Sequence, residues 1–209
     1  MGEERATRPL VLLIGGGSGT GKTTLAAILS EHLAMPVNQA DDFRLFGQRI
    51  TSPAEQPALH YFVDPEGDLA RLTATPGQLL ERLIAIAELV SHGLEVVIAH
   101  HLATGRPLIL EGDSIAPGLA LHNAHAGSPA GGRVGAAFLH EPDEAAILAG
   151  MRSRGRGIER LSPIEQERGA RVAWLYGNWI AEQAARAGLP VVDARPHATL
   201  EQRVLAALA

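Results

Sequence analysis

The run Gly16-Gly17-Ser18-Gly19-Thr20-Gly21-Lys22-Thr23 has the spacing G-x-x-x-x-G-K-S/T, and its residue types describe an anion cradle. Glycines let successive backbone N–H groups converge on phosphate oxygens, which side chains there would obstruct. The lysine can reach β- and γ-phosphates as a movable point charge, and the hydroxyl after it can ligate magnesium. Gly17, Ser18, Gly19, Thr20, Gly21, Lys22, Thr23 and Thr24 are therefore the expected nucleotide-binding set, with ATP and Mg2+ as the implied cofactors. Composition sharpens the point. Of 18 basic residues, Lys22 is the only lysine, so a compact ammonium stands at the one place where a planar guanidinium would not serve.

Such chemistry needs elements to hold it. Pro9 to Ile14 is a short apolar run, readable as a buried strand that leads straight into the glycine loop. Leu25, Ala26, Ile28, Leu29 and Leu33 then recur at helical spacing, so the loop opens a helix whose N-terminal dipole favours the same anion. A second apolar segment, Met35 to Ala40, predicts a strand delivering Asp41-Asp42-Phe43 at its end. A third, Pro107 to Asp113, ends in Glu111 and Asp113. In a parallel sheet the strand C-termini line the ligand crevice, so these carboxylates belong beside the phosphates. One of them can accept the proton of an attacking hydroxyl, and another can hold the magnesium shell. Adjacent strand residues point opposite ways, so only one of Asp41 and Asp42 is expected to face the phosphates. Glu111 is expected near the metal, together with Thr23.

The three segments Gly16 to Thr23, Asp41-Asp42-Phe43 and Leu108-Ile109-Leu110-Glu111-Gly112 together resemble the nucleoside-kinase branch of the P-loop kinases, such as uridine kinases and nicotinamide riboside kinases. The stretch Glu111 to Gly118 also resembles the corresponding segment of 2-phosphoglycerate kinases. The resemblance implies that Asp41 is the catalytic aspartate and that Glu111 serves metal and substrate. It implies a three-layer α/β/α domain spanning 1–209, with a five-stranded parallel sheet in the order 2-3-1-4-5. It also implies an arginine-bearing lid, at about 152–162 here, within which Arg152 and Arg156 are the expected catalytic arginines beside Lys22. Insertions after the second strand form the acceptor side in such kinases. That places the acceptor region at about 43–105 and makes Arg44, Arg49, His60 and Tyr61 candidate substrate contacts.

The rest of the chain supplies scaffold. Val134 to Leu139 predicts a fourth strand, followed by a helix through Met151. Ser162-Pro163-Ile164-Glu165 is a capping box that opens a long helix ending near Ala187; Gly169 and Gly177 within it predict a bend or a close packing contact. Pro190 to Asp193 predicts a fifth strand, and a final helix starts at Thr199. Thr75-Pro76-Gly77-Gln78 opens a helix to about Ser91; Gly93 is expected to interrupt it, with Leu94 to Thr104 a second helix or, over Val96-Val97-Ile98, a strand. The pairs His100/His101 and His122/His125 lack a spaced third ligand for zinc.

Composition narrows the function. The 209 residues carry a formal charge of -5 and 4% aromatic residues, which offers neither a backbone groove nor a stacking platform for nucleic acid. The sequence has no cysteine, and no uninterrupted apolar run is long enough to predict a membrane span. A cytoplasmic location is the expectation. Neither a guanine-reading N-K-x-D motif nor a transporter-type L-S-G-G-Q stretch occurs. The expected activity is therefore ATP- and Mg2+-dependent phosphorylation of a hydroxyl on a small-molecule acceptor. The alternative is a regulatory protein that hydrolyses or senses ATP without such an acceptor.

Overall fold

The structure is a computed structural model, and it describes residues 9–62, 73–125, 134–155 and 157–208. Strand β1 (Val11–Gly16) is buried along its whole length and pairs in parallel with β3 (Leu108–Glu111) on one side and β4 (Val134–His140) on the other. Strands β2 (Val37–Gln39) and β5 (Val191–Asp193) complete the edges, giving the parallel order β2-β3-β1-β4-β5. This is the order that the resemblance implied.

Because strand side chains alternate, each inner strand feeds two cores. Val11, Leu13, Leu108, Leu110, Ala136 and Phe138 face one side of the sheet. They meet α4 (Pro76–Thr104), α5 (Pro117–His125) and α7 (Pro163–Arg186) there. Leu12, Ile14, Ile109, Ala137 and Leu139 face the other side, against α1 (Lys22–Leu33) and α8 (Leu200–Leu208). Each fully buried Leu or Ile contributes about 1.5–3 kcal/mol, so this continuous apolar run at the centre fixes both register and layering. Helices α2 (Ala40–Ile50) and α3 (Pro57–His60) follow β2, and α6 (Glu144–Arg154) follows β4.

Three expectations need correction. Asp41 and Asp42 are not strand residues: β2 stops at Gln39, and both acids lie in the first turn of α2, where negative charge complements the helix N-terminus. Gly93 does not interrupt its helix, and Val96 to Ile98 is not a strand. A single helix runs from Pro76 to Thr104, capped by the predicted box of Thr75 and Gln78. Gly93 sits on its open side, so the residue costs only the ~1 kcal/mol of an exposed helical glycine. The unbroken α4 is also the one helix among the described residues long and apolar enough by composition to cross a membrane, with a mean hydropathy of 1.6 over 18 residues. Here Ile86, Ala87, Val90, Leu94 and Ile98 pack it into the core.

The Ser162 capping box and the helix it opens match expectation, with Glu165 closing the reciprocal bond. Along α7, Trp174 donates to the Pro142 carbonyl (2.7 Å), and Asn178 bonds the His140 ring (2.8 Å). The helix is thus fastened to the end of β4.

Candidate active site

The loop between β1 and α1 is shaped from both sides. Gly21, at φ 89°, is the N-cap of α1, a backbone state that disfavours any side chain. Gly17 lies against Gly177 of α7 so closely that a Cβ would come within 2.9 Å of the Gly177 Cα. The close contact expected of Gly177 is therefore made with the loop itself. Buried Thr20 donates its hydroxyl to the Gly17 carbonyl at 2.9 Å, which ties the loop across its own turn. Gly17 and Thr20 hold the loop's shape, while Ser18, Gly19, Gly21, Lys22, Thr23 and Thr24 line an open cleft of about 660 Å³.

Lys22 is buried and points back over the loop. Its Nζ donates to the Gly17 carbonyl at 2.8 Å and pairs with the Asp113 carboxylate at 2.5 Å. The Thr23 hydroxyl donates to Glu111 Oε1 at 3.0 Å, which brings together the two oxygen groups expected at the metal. Glu111 is buried at the end of β3. Burial raises its carboxyl above the ordinary value of 4.5, the Thr23 hydrogen bond and Lys22 oppose that rise, and Asp113 and Asp41 add to it. Gly112, at φ 155°, packs so close to Ala40 that a Cβ would sit 2.7 Å from the Ala40 side chain. Beyond it, the Asp113 carbonyl accepts from Tyr176 at 2.6 Å. Burial first, then the Asp113 and Asp41 charges, push the Tyr176 phenol well above its ordinary value of 10.0, so it remains a neutral donor. Asp41 opens into the same cleft and has the Arg44 guanidinium 3.9 Å away.

The opposite wall carries cations. Arg154, at the end of α6, reaches the Ser18 hydroxyl at 3.4 Å. Arg195 and His197 come from the segment after β5, and the His197 ring lies against Gly21. Buried Glu141 holds Arg195 through a 2.6 Å bond to Nε. Charge thus follows strand order: Asp41, Glu111 and Asp113 come from the β2–β3 half, Arg154 and Arg195 from the β4–β5 half, and Lys22 stands between them.

The arginine that reaches the loop is Arg154, and helical phase turns the expected Arg152 away from it. Helix α6 runs to Arg154 rather than stopping at Met151, which puts Arg154 on the same face as Ile147 and Gly150, toward the loop. Arg152 lies roughly 200° around the helix from it and instead bonds Gln166 at 2.8 Å. Arg156 lies outside the described residues. The expected acceptor contacts do not line the cleft. Arg44 reaches it only through Asp41, Arg49 is exposed on α2, His60 bonds Thr51 at 3.2 Å, and Tyr61 lies under Arg82 at 5.5 Å. Asp113 lines the cleft beside Glu111, as its place at the end of the third strand implied; Gln39, Arg154, Arg195 and His197 line it too, and sequence reasoning did not assign them to the site. Position at the C-terminal edge of the sheet, the rule that located Asp41 and Glu111, also applies to Arg195 and His197 after β5.

No family model matches the chain. A curated 2-phosphoglycerate kinase from Methanocaldococcus jannaschii is 26% identical over 200 residues, covering 89% of this chain and 59% of that protein. A 2-phosphoglycerate kinase from Pyrococcus furiosus is 29% identical over 111 residues, covering 53% of this chain and 37% of its own length. The chain therefore spans about 59% of the longer match and less of the other. Among solved structures, a gluconokinase from Sinorhizobium meliloti superimposes with a TM-score of 0.51 at 16% identity, covering 95% of this chain and 90% of that one. A deoxyadenosine kinase from M. mycoides gives 0.51 at 15% identity, covering 95% and 98%. The chain has the fold of the P-loop small-molecule kinases, and over most of its own length its sequence is similar to kinases of that kind.

Proposed function

We propose that this chain transfers the γ-phosphoryl group of ATP to a hydroxyl of a small metabolite. The observation that carries this reading is the meeting of Lys22, the Thr23–Glu111 pair and Asp41 in one cleft whose opposite wall is cationic. The glycine loop and Lys22 bind the β- and γ-phosphates. Arg154 and Arg195 steady charge on the nucleotide side, where guanidinium groups stabilise the transferring oxygens. The Thr23 hydroxyl and Glu111 carboxylate are hard oxygen donors 3.0 Å apart, a donor set that suits Mg2+. When bound, that ion supplies charge neutralisation at the phosphates.

Asp41 orients the acceptor hydroxyl and takes its proton as the oxygen bonds to the γ-phosphorus and the bond to the β-phosphate oxygen breaks. ADP leaves with that bridging oxygen, and the phosphate ester carries the new P–O bond. The acceptor enters from the β2–β3 half, between Gln39, Asp41 and Glu111. The names of similar proteins supply the first acceptors to try: 2-phosphoglycerate, gluconate and deoxyadenosine.

The test is ADP release measured with and without each acceptor. A kinase gives release that depends on one of them. A protein that only hydrolyses ATP gives the same rate with all of them and with none. Asp41→Asn separates the roles further, since it should lower turnover much more than ATP affinity.

A further inference from the structure

We propose that Asp113 is an exchangeable counter-ion for Lys22, holding the lysine by its carboxylate and yielding it when nucleotide phosphates arrive. The inference rests on the nucleotide-binding reading above and adds a residue that this reading does not use. Lys22 has two partners, the Gly17 carbonyl at 2.8 Å and the Asp113 carboxylate at 2.5 Å. Only one of them carries charge. A phosphate oxygen seeking Lys22 must therefore compete with a carboxylate already in contact with it, at a site where the lysine side chain is 7% exposed and solvent screens little.

The surroundings suit an exchange rather than a fixed structural pair. The backbone of Asp113 is pinned: its carbonyl accepts from buried Tyr176, and the next carbonyl, of Ser114, accepts from buried Ser91 at 2.8 Å. The Ser91 hydroxyl in turn accepts from the Ala116 N–H at 3.0 Å. The Asp113 side chain, by contrast, is 43% exposed, so its carboxylate can leave Lys22 and remain solvated. Glu111, two residues earlier, is buried and committed to Thr23, and Gly112 sets the turn that lets both acids face the loop. The two acids thus divide the labour. Glu111 serves the hydroxyl expected at the metal, and Asp113 serves the cation expected at the phosphates. Once Lys22 moves to the nucleotide, the freed Asp113 carboxylate joins Asp41 on the side where the acceptor enters. Nucleotide first and acceptor second is the binding order that follows.

Two measurements on the whole chain test this, and neither needs the acceptor. The first is the affinity for Mg2+ with a non-hydrolysable ATP analogue. Asp113→Asn should bind about three- to tenfold more tightly than the wild type, because the internal competitor is gone. A damaged fold cannot produce tighter binding. Asp113→Glu, which keeps the charge, should return affinity toward wild type. Asp41→Asn removes an equal charge from the same cleft without touching Lys22 and should change affinity less than about twofold.

The second measurement uses the lone lysine. Protein grown with 13Cε-lysine has one lysine resonance, since Lys22 is the only lysine in the chain. Asp113→Asn should move that resonance, and nucleotide should then shift it less than in the wild type. Unchanged affinity and an unmoved resonance in Asp113→Asn would overturn the exchange. Equal tightening in Asp41→Asn would reduce it to bulk charge and overturn it as well. If neither protein binds nucleotide, the phosphate-cradle reading itself fails and the exchange with it. Tight binding by the variant alone would support both.

Discussion

The two halves of the sheet on either side of β1 do different electrostatic work. The β2–β3 half brings three carboxylates to the cleft, and the β4–β5 half brings two guanidinium groups and an imidazole. All of these side chains except Arg154, which comes from the far end of α6, sit at or just beyond the C-terminal ends of parallel strands. The difference lies in how each charge is held. Asp113 and Glu111 are kept close to the glycine loop by bonds to Lys22 and Thr23, whereas the arginines reach in from a helix end and from the segment after an edge strand. A polyanion and a hydroxyl can then approach one lysine from opposite directions without sharing a wall. In the proposed reaction this separation keeps the general base apart from Arg154 and Arg195, and its cationic neighbour is Arg44 of its own helix.

Substitutions across the cleft should expose that division, and the largest loss should come at its centre. Lys22→Ala should lower turnover by at least about a hundred- to a thousandfold in a steady-state ADP-release assay, because no other lysine can replace it. On the acidic side, Asp41→Asn should cost about a hundredfold or more in kcat while ATP affinity changes less than about twofold. Equal losses in both would place Asp41 in nucleotide binding instead. On the basic side, Arg154→Ala should cost about tenfold to a hundredfold in kcat/KM for ATP, and Arg152→Ala less than about twofold. The reverse ranking would break the assignment by helical phase.

The smallest effect concerns stability. Burial raises the Glu111 carboxyl, so the folded chain binds that proton more firmly than the unfolded chain does. As pH rises through the interval above 4.5, ionisation then costs the fold stability, and below that value the penalty vanishes. In Mg2+-free thermal melts from about pH 4 to about pH 7, the wild type should lose ground relative to Glu111→Gln. A wild type that gains on the variant over that range would contradict the sign.

Much of this was legible in the sequence, and the parts that were not share a cause. The glycine loop reads directly because its spacing is a backbone requirement, visible as residue types in a row. Its central strand is equally plain, since Leu12, Leu13 and Ile14 must be apolar on both faces. The acids at the ends of β2 and β3 follow from sheet geometry, although Asp41 and Asp42 begin a helix rather than end a strand. What sequence could not supply was phase and partnership. Arg154 differs from Arg152 only by where α6 stops, a matter of three residues that Gly155 and its neighbours do not announce. The join of α4 across Gly93 depends on that glycine facing open space, which tertiary packing alone decides. Arg195 looks like an ordinary loop arginine until Glu141, far away in sequence, is seen to hold it. The stretch from α2 up to α4 carries the expected acceptor residues, yet Arg44, His60 and Tyr61 are engaged with Asp41, Thr51 and Arg82. Side-chain partners of that kind leave no trace in spacing.

The most direct measurement follows the phosphorus itself. Incubating the chain with γ-labelled ATP, Mg2+ and each candidate acceptor should place the label in an ester of one acceptor, with Asp41→Asn strongly slowing its appearance. Label found only as inorganic phosphate, at a rate indifferent to acceptor and to Asp41, would contradict the account.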